Sequence, residues 1–512
     1  MVVLERRGLY TYYYCDNRER RVIEKSLSIF MPGAEYSKLF QDKHWDGKVR
    51  FYDGRRKWFW FGLIEYVLEA LSKKRIKYQL IGYDDQNVDW VKFSDPFLLP
   101  DRDYQRDSII EFLERTYGVI MVPTRGGKTF IASEIIRLLL KEKLISSSLF
   151  IVDSVDLFKQ AASDISAISG IPESEIGQIR GSDFKIGKMV TIAMIQTIQS
   201  ALKGKPSKRE YTKEDLKVAK ERKAQMSRYL SNLDMLIIDE VQEYGKSKPR
   251  MVALRMASNI KYVLALSATP HKYSDEVHKF NVDGFCGGII YEIEEKTLVN
   301  KGVLAENKML LLSIEYEHKP WQDSMEYRDV FRSIVIDNER RNSIIVSLLT
   351  VCDSLDLKTL AMFNSVEHGK KIENITGYTF LSGEHKDTIR MSVKKSFLSK
   401  KGGVLLVSDI WKKGITLPAV EVFLNVDSGK ETTLIIQRRG RVLGVTENKK
   451  KALAVDIIDQ GVKYLEDHAL QRIQAYEEKT GVENIDVIEF SDNIVSDLED
   501  YLINWFELNI QK

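Results

Sequence analysis

The stretch from Gly118 to Thr129, G-V-I-M-V-P-T-R-G-G-K-T, constrains this chain more than any other. Val119 to Val122 form a continuous apolar run of strand type, and Pro123 to Gly127 read as a turn. From Lys128 onward apolar residues recur at helical spacing as far as Leu140. A strand, a glycine-rich turn and a helix opening on Lys-Thr predict a phosphate-binding loop. Gly126 and Gly127 let backbone N–H groups close around phosphate oxygens, and the following helix points its positive end at the same place. Lys128 supplies a point charge to the β- and γ-phosphates of ATP, and Thr129 a hydroxyl to Mg²⁺. Thr124 and Arg125 lie in the same turn and join the candidate ATP-binding residues. The match is partial, because Val122 stands where the usual G-x-x-x-x-G-K-S/T pattern has its first glycine. On this stretch alone a chance Gly-Gly-Lys-Thr turn stays open.

The surrounding text is that of a parallel sheet. Apolar runs at 149–152, 190–193, 235–238 and 262–266 are each followed by polar and helical stretches, the pattern of strands buried on both faces in an α/β domain. The third run ends in Asp239-Glu240-Val241-Gln242. An Asp at the carboxyl end of a buried strand is placed to hold Mg²⁺, and the next carboxylate to orient or deprotonate water. The bland alternative is a solvated strand end. The fourth run ends in Ser267-Ala268-Thr269-Pro270, whose hydroxyls can switch hydrogen bonds when a phosphate leaves. Ahead of the loop, Arg102-Asp103-Tyr104-Gln105 opens an amphipathic helix, and the Gln105 amide has the donor and acceptor needed to read an adenine edge.

A second α/β series follows at 309–314, 359–363, 404–407, 422–426 and 452–458, without a second phosphate loop. It carries Ser408-Asp409, Gly414-Ile415-Thr416 and Gln437-Arg438-Arg439-Gly440-Arg441-Val442-Leu443-Gly444. A basic cluster entering a helix in a domain with no nucleotide site of its own predicts arginines aimed at a neighbour's nucleotide.

The expected domains are a small N-terminal α+β unit (1–97), a first α/β domain (98–305), a second (306–475) and a C-terminal helical extension (476–512). The Asp95-Pro96 and Leu99-Pro100 breaks mark the first boundary. Through Trp60 there are thirteen Lys/Arg against eight Asp/Glu, set among Tyr12, Tyr13, Tyr14, Trp45, Phe51, Tyr52, Trp58 and Trp60. Such residues can hold phosphates and stack on bases, or they can be the core of a small domain. Asp-Gly pairs at 46–47 and 53–54 bracket one alternating strand of a hairpin, and Leu63, Val67, Leu68 and Leu71 predict a helix. Residues 203–228, with ten Lys/Arg and four Asp/Glu, are either a phosphate contact or a solvated helical excursion. In the acidic tail Ile494, Leu498, Tyr501, Leu502 and Trp505 share a helical face, which predicts a docked helix.

Composition decides little else. A net charge of +3 proves no nucleic-acid partner, and no apolar run approaches the ~18 residues of a membrane span. The N-terminus has no apolar signal region. Cys15, Cys286 and Cys352 show no metal-ligand spacing, so a reduced, cytoplasmic setting is expected.

In order and spacing, the sets at 102–105, 127–129, 239–242, 267–269, 408–416 and 437–441 resemble the Q motif and motifs I, II, III, V and VI of superfamily-2 helicases. His44-Trp45-Asp46-Gly47-Lys48-Val49-Arg50, 365–370 (S-V-E-H-G-K) and 381–384 (L-S-G-E) look like the bacteriophage UvsW-type members, DNA helicases that remodel forks and Holliday junctions. The resemblance implies an α/β fold with two tandem RecA-like parallel-sheet domains behind a small α+β domain. It also implies ATP and Mg²⁺ as cofactors and action on branched, duplex or single-stranded DNA; sequence-independent binding and a monomer are expected. Carried onto this chain, Arg102 and Gln105 recognise adenine; Gly127, Lys128 and Thr129 hold phosphates and Mg²⁺; Asp239 binds Mg²⁺ through water; and Glu240 is the base. Gln242, Ser267 and Thr269 couple nucleotide state to domain closure, Gly414 and Thr416 line the cleft, and Gln437 and Arg441 approach the γ-phosphate from the second domain. One position departs: Gly444 stands where the pattern Q-x-x-G-R-x-x-R ends in arginine. Either Arg441 suffices, or Arg438 or Arg439 substitutes. The alternatives are a duplex translocase, an RNA helicase, and a non-catalytic junction clamp with a decayed motor.

Overall fold

The computed structural model describes residues 1–83, 102–152, 155–206, 211–245, 254, 256–271, 275–317, 325–408, 417–430, 432–440 and 442–508. The chain divides into two compact units, 1–123 with 127–293, and 294–512 with 124–126.

The first unit holds two larger sheets and a two-stranded ribbon. In the N-terminal part lie β1 (Val2–Arg7), β2 (Tyr10–Tyr14), β3 (Ser28–Phe30), β4 (Lys48–Arg50), β5 (Tyr52–Asp53), β6 (Trp58–Trp60) and β7 (Tyr78–Ile81), followed in space by helix α1 (Ile64–Lys73). Five of the strands form a sheet in the order β5-β6-β2-β1-β7, while β3 and β4 pair separately. The single strand expected between the two Asp-Gly pairs is therefore split at Phe51. Its first half pairs with β3, with Ser28 opposite Arg50, and its second half turns through 54–57 to pair with β6. Phe51 is buried at this break, and its burial in the core redirects the chain where local alternation would run straight on.

The second sheet of this unit has β8 (Tyr117–Met121), β9 (Ser148–Val152), β10 (Gly177–Arg180), β11 (Asp183–Lys185), β12 (Val190–Met194), β13 (Met235–Asp239), β14 (Tyr262–Ser267) and β15 (Ile289–Glu292). Their order is β11-β10-β12-β9-β13-β14-β8-β15, parallel throughout except for the β10–β11 pair. Every residue of β9, β13 and β14 is buried, as a sheet covered on both faces requires. Strands β13, β14 and β8 are neighbours, so their carboxyl ends, carrying Asp239, Ser267 and the loop at 122–127, open side by side. The N-terminal part shares its core with this sheet: Leu4, Phe59, Leu63 and Val67 belong to one apolar cluster with Leu236, Val263 and Phe285.

Among the helices of this unit are α2 (Asp103–Arg115), α3 (Lys128–Lys141), α4 (Lys213–Ser231) and α5 (Glu276–Cys286). The basic segment at 203–228 contributes most of α4. That helix is started by a capping box between Thr212 and Asp215 and anchored at its far end by buried Met226 and Leu230.

In the second unit β16 (Glu306–Glu315), β17 (Thr359–Phe363), β18 (Phe380–Leu381), β19 (Val404–Ser408), β20 (Val422–Asn425), β21 (Lys451–Gln460) and β22 (Ile485–Glu489) form one parallel sheet, ordered β18-β19-β17-β20-β21-β16-β22. Helices α6 (Glu339–Ser354), α7 (Thr432–Gly440) and α8 (Lys463–Thr480) lie among its connections, and α9 (Ile494–Phe506) follows the last strand. The acidic tail supplies both the edge strand β22 and α9, whose Ile494, Leu498 and Leu502 enter the core. No described helix is long and apolar enough to cross a membrane.

Candidate nucleotide site

The loop between β8 and α3 is shaped by one glycine. Gly127 has φ +90° and caps α3, and a Cβ there would stand 2.2 Å from Gln105 Nε2 and 3.7 Å from an Arg102 guanidinium nitrogen. Glycine is required by its backbone conformation, and a Cβ would also crowd the Gln105 amide. Arg102 and Gln105 thus converge on the loop from the first turn of α2, with the Gln105 side chain buried. Thr124, Arg125 and Gly126 complete the turn. Arg125 has φ +72°, and burial pushes its guanidinium down to about 10. No side chain caps α3 and its first turn carries no acid, so the helix presents its positive end without an internal anion. Half-buried Thr129 follows in that turn.

From Lys128 a chain of polar contacts runs across the carboxyl edge of the sheet. Lys128 Nζ donates to Glu240 Oε1 at 3.2 Å, with both side chains mostly withdrawn from solvent. Glu240 sits just past β13 with φ +52°, a conformation that costs a non-glycine residue of order 1 kcal/mol and turns its carboxylate back toward the loop. Its other oxygen accepts from Gln242 Nε2 at 2.7 Å, and Gln242 Oε1 accepts from Ser267 Oγ at 2.6 Å. Ser267 Oγ in turn accepts from the Thr269 backbone N–H at 2.9 Å. A glutamine suits this place because one end of its amide donates and the other accepts. Asp239, buried at the tip of β13, accepts from the Glu240 N–H at 3.0 Å. The expected residues Gln105, Gly127, Lys128, Asp239, Glu240, Gln242, Ser267 and Thr269 are therefore gathered at one sheet edge.

Two partners of this edge were invisible in the sequence. His278 on α5 shares a 2.8 Å hydrogen bond with the Gln242 carbonyl, and Asn281 donates to the Gly245 carbonyl at 3.0 Å. Neither lies in a motif, and only tertiary packing brings α5 to the turn after Asp239.

In the second unit, Ser408 ends β19, while Asp409, Gly414, Ile415, Thr416 and Arg441 fall outside the described residues, as does the Gln437 side chain. The substitution entertained for Gly444 is not supported by Arg438 or Arg439, each only 1% exposed. Arg438 donates to Asn425 at 3.2 Å and to Asn364 at 2.9 Å, and stands 3.6 Å from Asp427. Arg439 holds Glu295 in a forked pair at 2.6 and 3.2 Å and also donates to Asn307. Both guanidinium groups serve to seat α7, because a buried cation is tolerated only when paired and hydrogen-bonded. Around them extends a buried network with Arg341–Asp459 (2.9 Å) and Arg472–Asp456 (2.8 Å) at its centre.

The N-terminal aromatics divide between the two expectations. Tyr13, Phe51 and Trp60 are core residues, whereas Tyr12, Trp45, Tyr52 and Trp58 are half-buried and Tyr14 is exposed. A cleft of about 1100 Å³ is lined by Arg20, Arg50, Arg55, Arg56 and Lys57 together with Trp58.

Two RecA-like parallel sheets, the first bearing a lysine loop beside an Asp-Glu strand tip, define the class as a nucleotide-driven motor. A family model described as type III restriction enzyme, res subunit, matches residues 98–272, and one described as helicase conserved C-terminal domain matches 328–444. The chain belongs to the superfamily-2 helicases and is an ATP-hydrolysing helicase by family. It is similar to the ATP-dependent DNA helicase UvsW of Enterobacteria phage T4, with 22% identity over 90% of this chain and 94% of that protein. It is also similar to the DNA 3'-5' translocase XPB2 of Sulfurisphaera tokodaii, with 23% identity over 70% of this chain and 82% of the relative. Among solved structures, the type ISP restriction-modification enzyme LlaBIII bound to DNA aligns with a TM-score of 0.55 and 14% identity, over 85% of this chain and 35% of that one.

Proposed function

We propose that this helicase couples hydrolysis of ATP, with Mg²⁺, to remodelling of branched DNA such as forks and four-way junctions. The observation that carries the motor chemistry is the unbroken contact chain from Lys128 through Glu240, Gln242 and Ser267 to Thr269. The residues present fit the cofactor. The uncapped start of α3 and Lys128 supply positive charge, and Thr129 and Asp239 supply the hard oxygens that Mg²⁺ takes beside phosphate oxygens and water. Bound Mg·ATP supplies the anhydride bond whose cleavage drives the cycle. In this proposal Gln105 and Arg102 orient the adenine, while loop N–H groups and Lys128 hold the phosphate oxygens. Lys128, drawn to phosphate, releases Glu240 Oε1, which accepts a proton from the attacking water. Gln242 loses or keeps its Glu240 bond as that happens, and passes the difference to Ser267 and Thr269. Gln437, Gly414, Thr416 and Arg441 keep the roles that the family pattern assigns them.

DNA as substrate is supported by the printed names of both relatives, and branched DNA is what the resemblance of the segments at 44–50, 365–370 and 381–384 implies. Grip on a sugar-phosphate backbone needs no base readout, so binding is expected to be independent of sequence. The XPB2 relative is named a DNA translocase, which keeps one rival in view: a motor that moves on duplex without separating strands. ATP turnover and strand release on single-stranded, duplex, forked and four-way DNA test the reading. Turnover should be stimulated by DNA and strands released from forks and junctions. A DNA-stimulated motor that releases no strand is the translocase. Lys128→Ala should lower turnover by about 10²-fold or more, and full DNA-stimulated ATPase in that variant defeats the site assignment.

A further inference from the structure

Helix α5 touches both the acidic edge and the N-terminal part, and one of its carboxylates joins the N-terminal part to the segment leaving β14. Asp283 on α5 is 2% exposed. Its Oδ2 accepts from the Tyr66 hydroxyl of α1 at 2.6 Å, and its Oδ1 lies 2.7 Å from His271 Nε2. An ionised carboxylate only accepts, so both partners are donors. Burial, with the Asp283 bond next, pushes the Tyr66 phenol above its usual range and keeps it protonated. His271 directly follows Ser267-Ala268-Thr269-Pro270, so one oxygen of Asp283 holds the N-terminal part and the other the segment leaving β14.

The N-terminal side of this joint is closely packed. The Tyr66 ring packs on Phe280 at 4.4 Å, Phe51 meets the same ring at 5.2 Å, and Trp60 meets Phe285 at 6.0 Å. At Gly62 a Cβ would come within 2.0 Å of the Asp283 carbonyl oxygen and 2.4 Å of the Gly287 nitrogen, so backbone lies directly on backbone there. The same helix reaches the acidic edge through His278 and Asn281. A displacement of the N-terminal part thus acts on α5, and through it on Gln242 and on the strand tip at 267–271.

We propose that Tyr66 and Asp283 are positioning residues through which the N-terminal part, when it engages DNA, sets the acceleration of ATP hydrolysis. This rests on the reading of the chain as a DNA-stimulated ATPase. A merely structural clamp would hold the domain in place and do nothing else.

Tyr66→Phe in the full chain separates the two, because it keeps the ring on Phe280 and removes only the hydroxyl. ATP turnover without DNA should stay within about twofold of the parent, and KM for ATP should not move. Stimulation by forked DNA should fall roughly tenfold, within the 5–150-fold range of typical coupling between sites. His271→Asn should lower stimulation similarly, and the double variant should be no worse than the poorer single one, since both act through Asp283. Stimulation equal to the parent's in Tyr66→Phe overturns the inference. So does a parallel fall of basal and stimulated turnover, or full additivity of the two losses. A parent whose turnover ignores DNA removes the functional reading and this inference together, whereas a stimulated parent with an equally stimulated variant removes this inference alone.

Discussion

Gln242 illustrates how far a single side chain is dictated by its neighbours. Its amide must donate to Glu240 Oε2 and accept from Ser267 Oγ, so a carboxylate of the same length is the wrong shape of charge. In Gln242→Glu two carboxylates would meet at hydrogen-bond distance, and one of them would hold a proton at neutral pH. Turnover is expected to fall by about 10²-fold or more while the melting temperature changes little, as measured by ATPase and thermal denaturation. His368 makes a prediction of the opposite kind, about stability alone. Its ring hydrogen-bonds to Asn342 Oδ1 at 2.7 Å, and burial, then the nearby Arg341 and Lys371, pushes it down to about 3. The folded state therefore refuses a proton that the unfolded chain, with a histidine near 6.5, accepts. Stability from this group is present above about pH 6.5 and drains away as pH falls toward 3, at up to about 1.4 kcal/mol per pH unit. Urea midpoints measured across that range should be flatter in acid for His368→Gln. The sequence around 365–370 looked like a family signature. In the structure Ser365 caps a helix and His368 ties it to α6.

Elements differ in how much of their placement their own residues contain. Helix α7 was legible as a basic segment, but that both of its arginines are committed to packing depended on Asn364, Asn425, Glu295 and Asn307, 13 to 144 residues away in sequence and close in the fold. Arg438→Ala leaves Asp427 and two asparagines facing an emptied buried site. It should cost about 3–5 kcal/mol in chemical denaturation, more than a surface arginine would. Arg439→Lys should also destabilise, because a single ammonium cannot reproduce the forked pair with Glu295. Strand β22 escaped sequence reading because its I-D-V-I-E alternates weakly at a sheet edge, in a tail whose only clear periodicity is the helical face at 494–505. Since β22 pairs along β16 and α9 fills the core, removal of 481–512 should unfold the second unit, visible as early loss of protease resistance in fragments from that half.

For the whole molecule, the shared core of the N-terminal part and the first sheet changes how DNA contact can be tested. Deleting 1–97 would strip Leu63, Val67 and Phe59 from a continuous core, so loss of binding after deletion would say little. Reversing charge on the hairpin at 54–57 leaves that core intact. Arg55→Glu with Arg56→Glu should weaken junction binding severalfold and flatten its salt dependence, with basal ATPase unchanged; fluorescence anisotropy at several salt concentrations measures this. Unchanged affinity and salt slope would place the DNA contact of this part elsewhere.

The residues of this chain sufficed for whatever depends on local geometry. Continuous apolar runs became the central strands of both sheets, and the glycine, lysine and acid motifs fell at their carboxyl ends, because side-chain period and turn chemistry act over a few neighbours. Long-range partnership had no such trace: His278 against Gln242, Asp283 between Tyr66 and His271, and the burial of Arg438 and Arg439 join segments from 12 to 217 residues apart. Those contacts arise only when whole layers pack, since a buried charge must then find a partner wherever the fold supplies one.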